Sequence, residues 1–206
     1  MKILVTGFGP FPGSPYNPTE QIVKHIARLR RPALAAHEIS THVFPTSYPA
    51  VDRDLPTLLR EHRPDALLMF GLAPRATTLR IEMLARNTLA AFPDASGASL
   101  NRRSIMVGGP RTAALPFPAQ GLLSAARVAR VPVALSRNAG RYLCNYLCWR
   151  AAEAAQKGSP RLAAFIHVPR VPRFARPKAR VKCHAATLTD LTRAASAILV
   201  VLAASG

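Results

Sequence analysis

Cysteine and acid are both scarce in this chain of 206 residues. Three cysteines, an odd number, cannot build the disulfide framework of a small secreted protein, so the composition points to a reducing, cytosolic setting. No uninterrupted apolar run reaches the ~20 residues of a membrane span. The opening "MKILVTGFGP" is too short for a signal peptide and reads as a first strand, and the apolar end from Ala194 reads as a buried last helix. Acidic residues number 10 against 28 Lys and Arg, a formal charge of +18, with none between Asp94 and Glu153. Such a field attracts polyanions nonspecifically. Aromatics make up only 6% and do not interleave with the arginines as a base-stacking surface requires, so no specific nucleic-acid role is expected. A second basic run occupies 170–182.

What is present is apolar patterning, at 49% of residues, enough for one domain over 1–206 with its own core. Strands are expected at Ile3–Val5, in "HEISTHVFP" (37–45), "DALLMFG" (65–71), "TTLRIEMLARN" (77–87), "VPVALS" (131–136) and "RLAAFIHVP" (161–169). Helices are expected over 17–31, 48–62 with Pro56 near a bend, 140–156 and 187–204. Asn17, Pro18 and Glu20 carry the start signals of the first, including a capping box. The Gly- and Pro-rich 108–121 reads as loop, and 93–119 as the segment best suited to move. Strands alternating with helices predict an α/β class: a mostly parallel twisted sheet in an α/β/α sandwich.

"GFGPFPG" follows the first strand, but Pro10 and Pro12 interrupt the turn and the helix starts only at Pro18, against a dinucleotide site. Phe8 and Phe11 then stand either at a ligand-binding strand end or as core aromatics. Cys144 and Cys148 are one helical turn apart. Buried thiols on one face account for Cys148. Cys144 falls where the helix begins, and a helix N-terminus stabilises the nucleophilic thiolate. The cysteines, with His184 beside Cys183, lack the spacing of a zinc site. A nucleophilic Cys needs a base. His25, His37, His42 and His62 lie in polar segments and read as solvated, and His184 lies near the basic run. His167 ends an apolar strand, a structural position or the position of a base at the sheet's carboxyl edge. Glu82, a lone acid between apolar neighbours sharing a face with Arg80 and Leu84, is the group that could orient it.

In these residues the chain resembles the pyroglutamyl peptidase I (pyrrolidone-carboxylate peptidase) family of cysteine peptidases. The resemblance lies in "ILVTGFGPFPGSPYNPTEQIV", "GLAPRATTLRIEMLARN", "SRNAGRYLCNYLCW" and "AAFIHVPRVP", in that order. It implies a phosphorylase/hydrolase-like globule, often a homodimer or homotetramer. The implied activity is removal of N-terminal pyroglutamate from peptides without cofactor or metal. The implied catalytic residues are Glu82, Cys144 and His167, with the lactam near Phe8 and Phe11 and polar contacts from Asn17, which equally suits a helix cap. Tyr142 matches the family's aromatic two before the Cys. Leu72 stands where the family has Gln, Pro74 stiffens the same loop, and Phe92 replaces an Arg. Those departures keep open a weakened or inactive homologue that binds a peptide or small acid, and the charge alone supports a polyanion-binding protein.

Overall fold

The computed structural model describes residues 1–171 and 186–206. Cys183, His184 and most of the basic run read at 170–182 lie outside the described residues. The strands are β1 (Lys2–Phe8), β2 (Glu38–Phe44), β3 (Ala66–Leu72), β4 (Leu79–Glu82), β5 (Leu84–Arg86), β6 (Thr112–Ala114), β7 (Val133–Ser136) and β8 (Leu162–Val168). The helices are α1 (Pro18–Arg28), α2 (Tyr48–His62), α3 (Ala119–Val128), α4 (Leu143–Gln156) and α5 (Leu188–Ala203). Six strands form one sheet in the order β2-β1-β3-β8-β4-β7. The first four are parallel, β4 runs antiparallel to β8, and β7 follows β4. The unbroken apolar runs of β1, β3 and β8 take the centre, where both faces are covered.

Register assigns every side chain to a face, because paired residues point the same way and neighbours alternate. Ile3, Val5, Leu68, Phe70, Ile166 and Ile81 pack under α1, α3 and α5. Leu4, Phe8, Leu67, Met69 and Phe165 pack under α2 and α4 with Tyr48, Tyr146, Cys148 and Trp149. Each fully buried large apolar side chain contributes about 1.5–3 kcal/mol by leaving water, and α5 brings Leu191, Ile198, Leu199 and Leu202 to the first of these cores. Among the described residues no helix is long and apolar enough to cross a membrane.

Four local expectations change. The strand expected over 77–87 breaks at Met83, whose N–H bonds Ser136 while its carbonyl accepts from Leu115. Its second half, β5, leaves the main sheet to pair with β6, so Leu84 does not share a face with Arg80. α3 begins on ground read as loop, within 108–121, and runs on through residues given no element, because Pro118 starts it with no side-chain cap to announce it. Pro56 sits inside α2 without interrupting it: the residue is exposed, and the Thr57 hydroxyl donates to the nearby Arg53 carbonyl. Glu20 does not close a capping box; Asn17 caps α1 alone and Glu20 pairs with Lys24. The reciprocal box is found instead at α5, between Thr187 and Asp190.

The segment expected to move is anchored at its start. Asp94 is buried, and its carboxylate accepts the N–H of Tyr48 at 2.7 Å, opening α2. The other oxygen takes the Ser96 N–H and hydroxyl and the Ala98 N–H. Burial pushes this carboxyl up, but the hydrogen bonds outweigh it and hold the group below its ordinary value. Its stabilisation is therefore present above the ordinary carboxylate range and is lost as pH falls. Asp94→Ala leaves several donors without their acceptor and should cost about 1–3 kcal/mol in urea denaturation, with faster hydrogen exchange at Tyr48 and Ala98. Unchanged stability and exchange would show that the latch is dispensable.

Candidate active site

His167 is the sixth residue of β8, next to the carboxyl end of the parallel strands, where α/β sheets expose their working groups. Its Nδ1 lies 2.8 Å from Glu82 Oε1 on β4. Both groups are buried, and Glu82 has no exposed surface at all. The second carboxylate oxygen accepts the Asn138 N–H at 3.2 Å, and the Ser136 hydroxyl adds a further hydrogen bond. The Phe165 ring meets the imidazole edge-on at 5.0 Å between centroids. Burial pushes the Glu82 carboxyl up, but His167, Ser136 and Asn138 together outweigh it and hold it below the usual range. Removing one member of such a pair leaves a buried charge uncompensated, a loss of about 3–5 kcal/mol.

Cys144 is the second residue of α4, after Tyr142 at the N-cap. α1, α2 and α5 have side-chain caps, whereas α4, like α3, has none. The first N–H groups of a helix have no acceptor within it, so those at Leu143, Cys144 and Asn145 are left as donors at the start of the helix that carries the sulfur. The thiol descends onto the sheet at Gly71, where a Cβ would lie 2.8 Å from Cys144 Sγ and 2.5 Å from Phe165 Cζ. Gly71 is also the β3 register partner of His167. A missing side chain on one strand thus lets the sulfur settle next to the imidazole of the neighbouring strand. Burial opposes charge on His167, but the negative charge and hydrogen bonding of Cys144 and of Glu82 outweigh it and push the imidazole up to about 9. Cys148, one turn further along, is fully buried in apolar surroundings that push its thiol well up.

The remaining expected residues divide. Phe8 is buried in the same cluster as Cys144 and Tyr142, its ring 5.9 Å from Phe44. Phe11 is half-buried on a tight loop closed by paired hydrogen bonds with Ser14. Asn17 is buried, with its amide donating to the Gly9 carbonyl and its oxygen accepting from Thr19, so the cap uses both ends of the side chain. Leu72 follows Gly71 and pairs with Val168, which puts it on the opposite face of the sheet from Cys144 and His167. Tyr142 packs edge-on against Tyr48 and donates to the Pro93 carbonyl at 3.3 Å. Phe92 is 56% exposed and lies over Tyr142 at 4.9 Å.

Of the histidines read as solvated, His25 is exposed, but His37, His42 and His62 are partly buried. His42 faces Asp54 at 3.5 Å, yet burial dominates and pulls its pKa down. Among the described residues no group of three or more His, Cys, Asp or Glu could hold a metal. The residues that sequence reasoning missed are Gly71, Ser136, Phe165 and Asn145. Asn145 is buried and ties α4 to the chain at Arg86 and Thr88 through three hydrogen bonds. Its only signal was its place directly after Cys144.

Gly71→Ala should displace Cys144 or Phe165. Overpacking of this kind costs about 1–3 kcal/mol, and alkylation of Cys144, read by mass spectrometry, should slow relative to wild type. A stable variant alkylated at the wild-type rate would contradict the close approach.

Residues 1–203 match the family model described as pyroglutamyl peptidase. The chain is 33% identical to the pyrrolidone-carboxylate peptidase of Pyrococcus furiosus over 174 residues, 84% of this chain and 82% of that one. A pyrrolidone-carboxylate peptidase of Streptococcus suis is also 33% identical, over 84% of this chain and 79% of its own. The pyrrolidone carboxyl peptidase of Thermococcus litoralis superposes with a TM-score of 0.86 at 29% identity, covering 98% of this chain and 92% of that one. Pyroglutamyl peptidase I of Bacillus amyloliquefaciens does so at 0.84 and 28%, covering 98% and 97%. With a model matched over nearly its whole length and relatives at this identity, the chain belongs to the pyroglutamyl peptidase family of cysteine peptidases.

Proposed function

We propose that this protein removes N-terminal pyroglutamate from peptides by thiolate catalysis at Cys144. The observation that carries the reading is the convergence of Cys144, His167 and Glu82 on one sheet face, beneath a helix start left without a side-chain cap. His167, hydrogen-bonded through Nδ1 to Glu82, takes the thiol proton of Cys144 and leaves the thiolate. The sulfur attacks the carbonyl carbon of the pyroglutamyl-peptide bond. The oxyanion is met by the N–H groups that open α4, including that of Cys144. His167 gives its proton to the departing amine as the C–N bond breaks, leaving the pyroglutamyl group as a thioester on Cys144. Water then attacks the thioester, with His167 taking its proton, and free pyroglutamate leaves. Glu82 stays ionised throughout and fixes the imidazole's orientation.

Phe8 and Tyr142, in the same cluster as Cys144, and Phe11 on the loop after β1 supply the apolar and aromatic surface for the five-membered lactam. Asn17 acts through the loop it caps. Leu72, facing away, bears on the site only through its backbone, so the absence of Gln there does not remove the catalytic groups. A homologue that binds such peptides without cleaving them is the second reading, favoured by Leu72 and Phe92. Assembly as a homodimer or homotetramer belongs to the same proposal and is read by sedimentation.

Wild type should hydrolyse a fluorogenic pyroglutamyl amide, and Cys144→Ala should lower the rate on the order of a thousandfold or more while keeping its fold. Cys148→Ser puts a hydroxyl into an apolar core and should cost stability, about 1–3 kcal/mol, rather than rate. A folded wild type with no activity would favour the binding reading.

Glu82→Gln removes one of the charges that raise His167. The alkaline limb of the kcat/KM profile should therefore move to lower pH, and a limb that stays or rises would contradict the assigned pair. The sign for stability is the same: a raised imidazole stabilises fully below its ordinary 6.5 and loses that contribution as pH climbs through about 9.

A further inference from the structure

Arg80 lies directly opposite His167 in the antiparallel β4–β8 pair, two residues before Glu82, which lies opposite Phe165. Residues so paired leave the same face with Cβ atoms about 4.5–5.5 Å apart. Going along β4, Arg80 therefore comes up beside the imidazole at the exposed edge of the site, while Glu82 sits deeper. Its neighbour on the other side is Ala134 of β7, small and exposed, which leaves the guanidinium uncovered. Among the described residues Arg80 makes no side-chain hydrogen bond and no ion pair. Glu82, the acid nearest to it along the strand, is taken by His167, Ser136 and Asn138. Arg137 and Arg141, exposed in the loop between β7 and α4, are likewise without ion pairs among the described residues.

The proton on His167 is already balanced by Cys144 and Glu82, which leaves the Arg80 guanidinium, without an ion pair among the described residues, as the unmatched charge beside the site. An anion brought by the substrate would meet it. His167 is the group that protonates the departing amine, so the first residue of the leaving peptide lies on the His167 side of the sulfur, over β4. We propose that Arg80 is a specificity-determining residue that favours a carboxylate immediately after the scissile bond. The proposal rests on the peptidase reading above and names its substrate class. The carboxylate is either an acidic side chain or the free C-terminus of a pyroglutamyl dipeptide. Arg is suited to either through its two-pronged hydrogen bonding, and the surrounding positive field steers such peptides inward.

The test compares kcat/KM for pyroglutamyl-glutamate, -alanine and -lysine, each as a C-terminal amide, and for pyroglutamyl-alanine as the free acid. An exposed ion pair should give wild type roughly a two- to fivefold preference for glutamate over alanine, and a like disfavour of lysine, both shrinking with added salt. Arg80→Gln should flatten the series, and Arg80→Glu should invert it toward lysine, which a merely structural role would not do. If the contact is to the chain terminus, alanine acid exceeds alanine amide in wild type and not in Arg80→Gln; if it is to the side chain, the glutamate amide alone gains. Equal rates across charges in wild type, or a preference that survives both variants, overturn the proposal while cleavage of the alanine amide keeps the peptidase reading. A wild type that cleaves none of the four overturns that reading and the proposal with it.

Discussion

A carboxylate with no exposed surface has to be neutralised by its neighbours, and Glu82 is the group around which this site is built. Three donors from two different places meet it: the imidazole of His167, the Ser136 hydroxyl and the Asn138 N–H. β4 runs antiparallel to β8, and its register sets Glu82 opposite Phe165, one step along the same face from His167. β7 then pairs with β4 so that Ser136 lies level with Glu82. From Ser136 the chain passes through Asn138 and turns at Gly140, at φ 84°, into the helix that carries Cys144. Two of the acid's three hydrogen-bond partners, Ser136 and Asn138, thus share one short stretch of chain with Cys144.

The same stretch shows stability given up for chemistry. A side-chain cap on α4 would contribute about 0.5–2 kcal/mol, as Asn17, Ser47 and Thr187 do for their helices. Leaving it out keeps the first N–H groups free beside Cys144. The missing side chain at Gly71 is of the same kind: an alanine would favour the strand, but there is no space for its Cβ under the sulfur. Residues that break a local rule are concentrated where the reaction would take place, and the surrounding core of Tyr146, Cys148, Trp149 and Phe165 holds them in position.

How much of this was legible in the amino-acid sequence depends on whether the deciding interaction is local. β1, β3 and β8 read directly as apolar runs, and the start of α1 as a cap followed by proline. The α/β class and the residues Glu82, Cys144 and His167 came from residue type, spacing and resemblance. What escaped the reading was set by pairing across the sheet. No linear pattern says that β4 turns antiparallel, that Met83 splits the strand expected over 77–87 between two sheets, or that Leu72 faces away from the thiol. Gly71 was quoted only as the end of one expected strand and the start of one family-like segment. That it lies under a sulfur more than seventy residues later in the chain is a fact of packing, as is the pairing of Arg80 with His167.

The central claim is covalent, that the pyroglutamyl group passes through Cys144, and it is tested most directly by trapping that thioester. Rapid acid quench of enzyme mixed with an activated pyroglutamyl ester, followed by peptide mass mapping, locates any acyl group. The account predicts one pyroglutamyl adduct, on the peptide bearing Cys144, absent from Cys144→Ala and lasting longer in a His167→Ala background where water is not activated. An adduct elsewhere, or turnover of the ester with no adduct on Cys144 at any quench time, would contradict it.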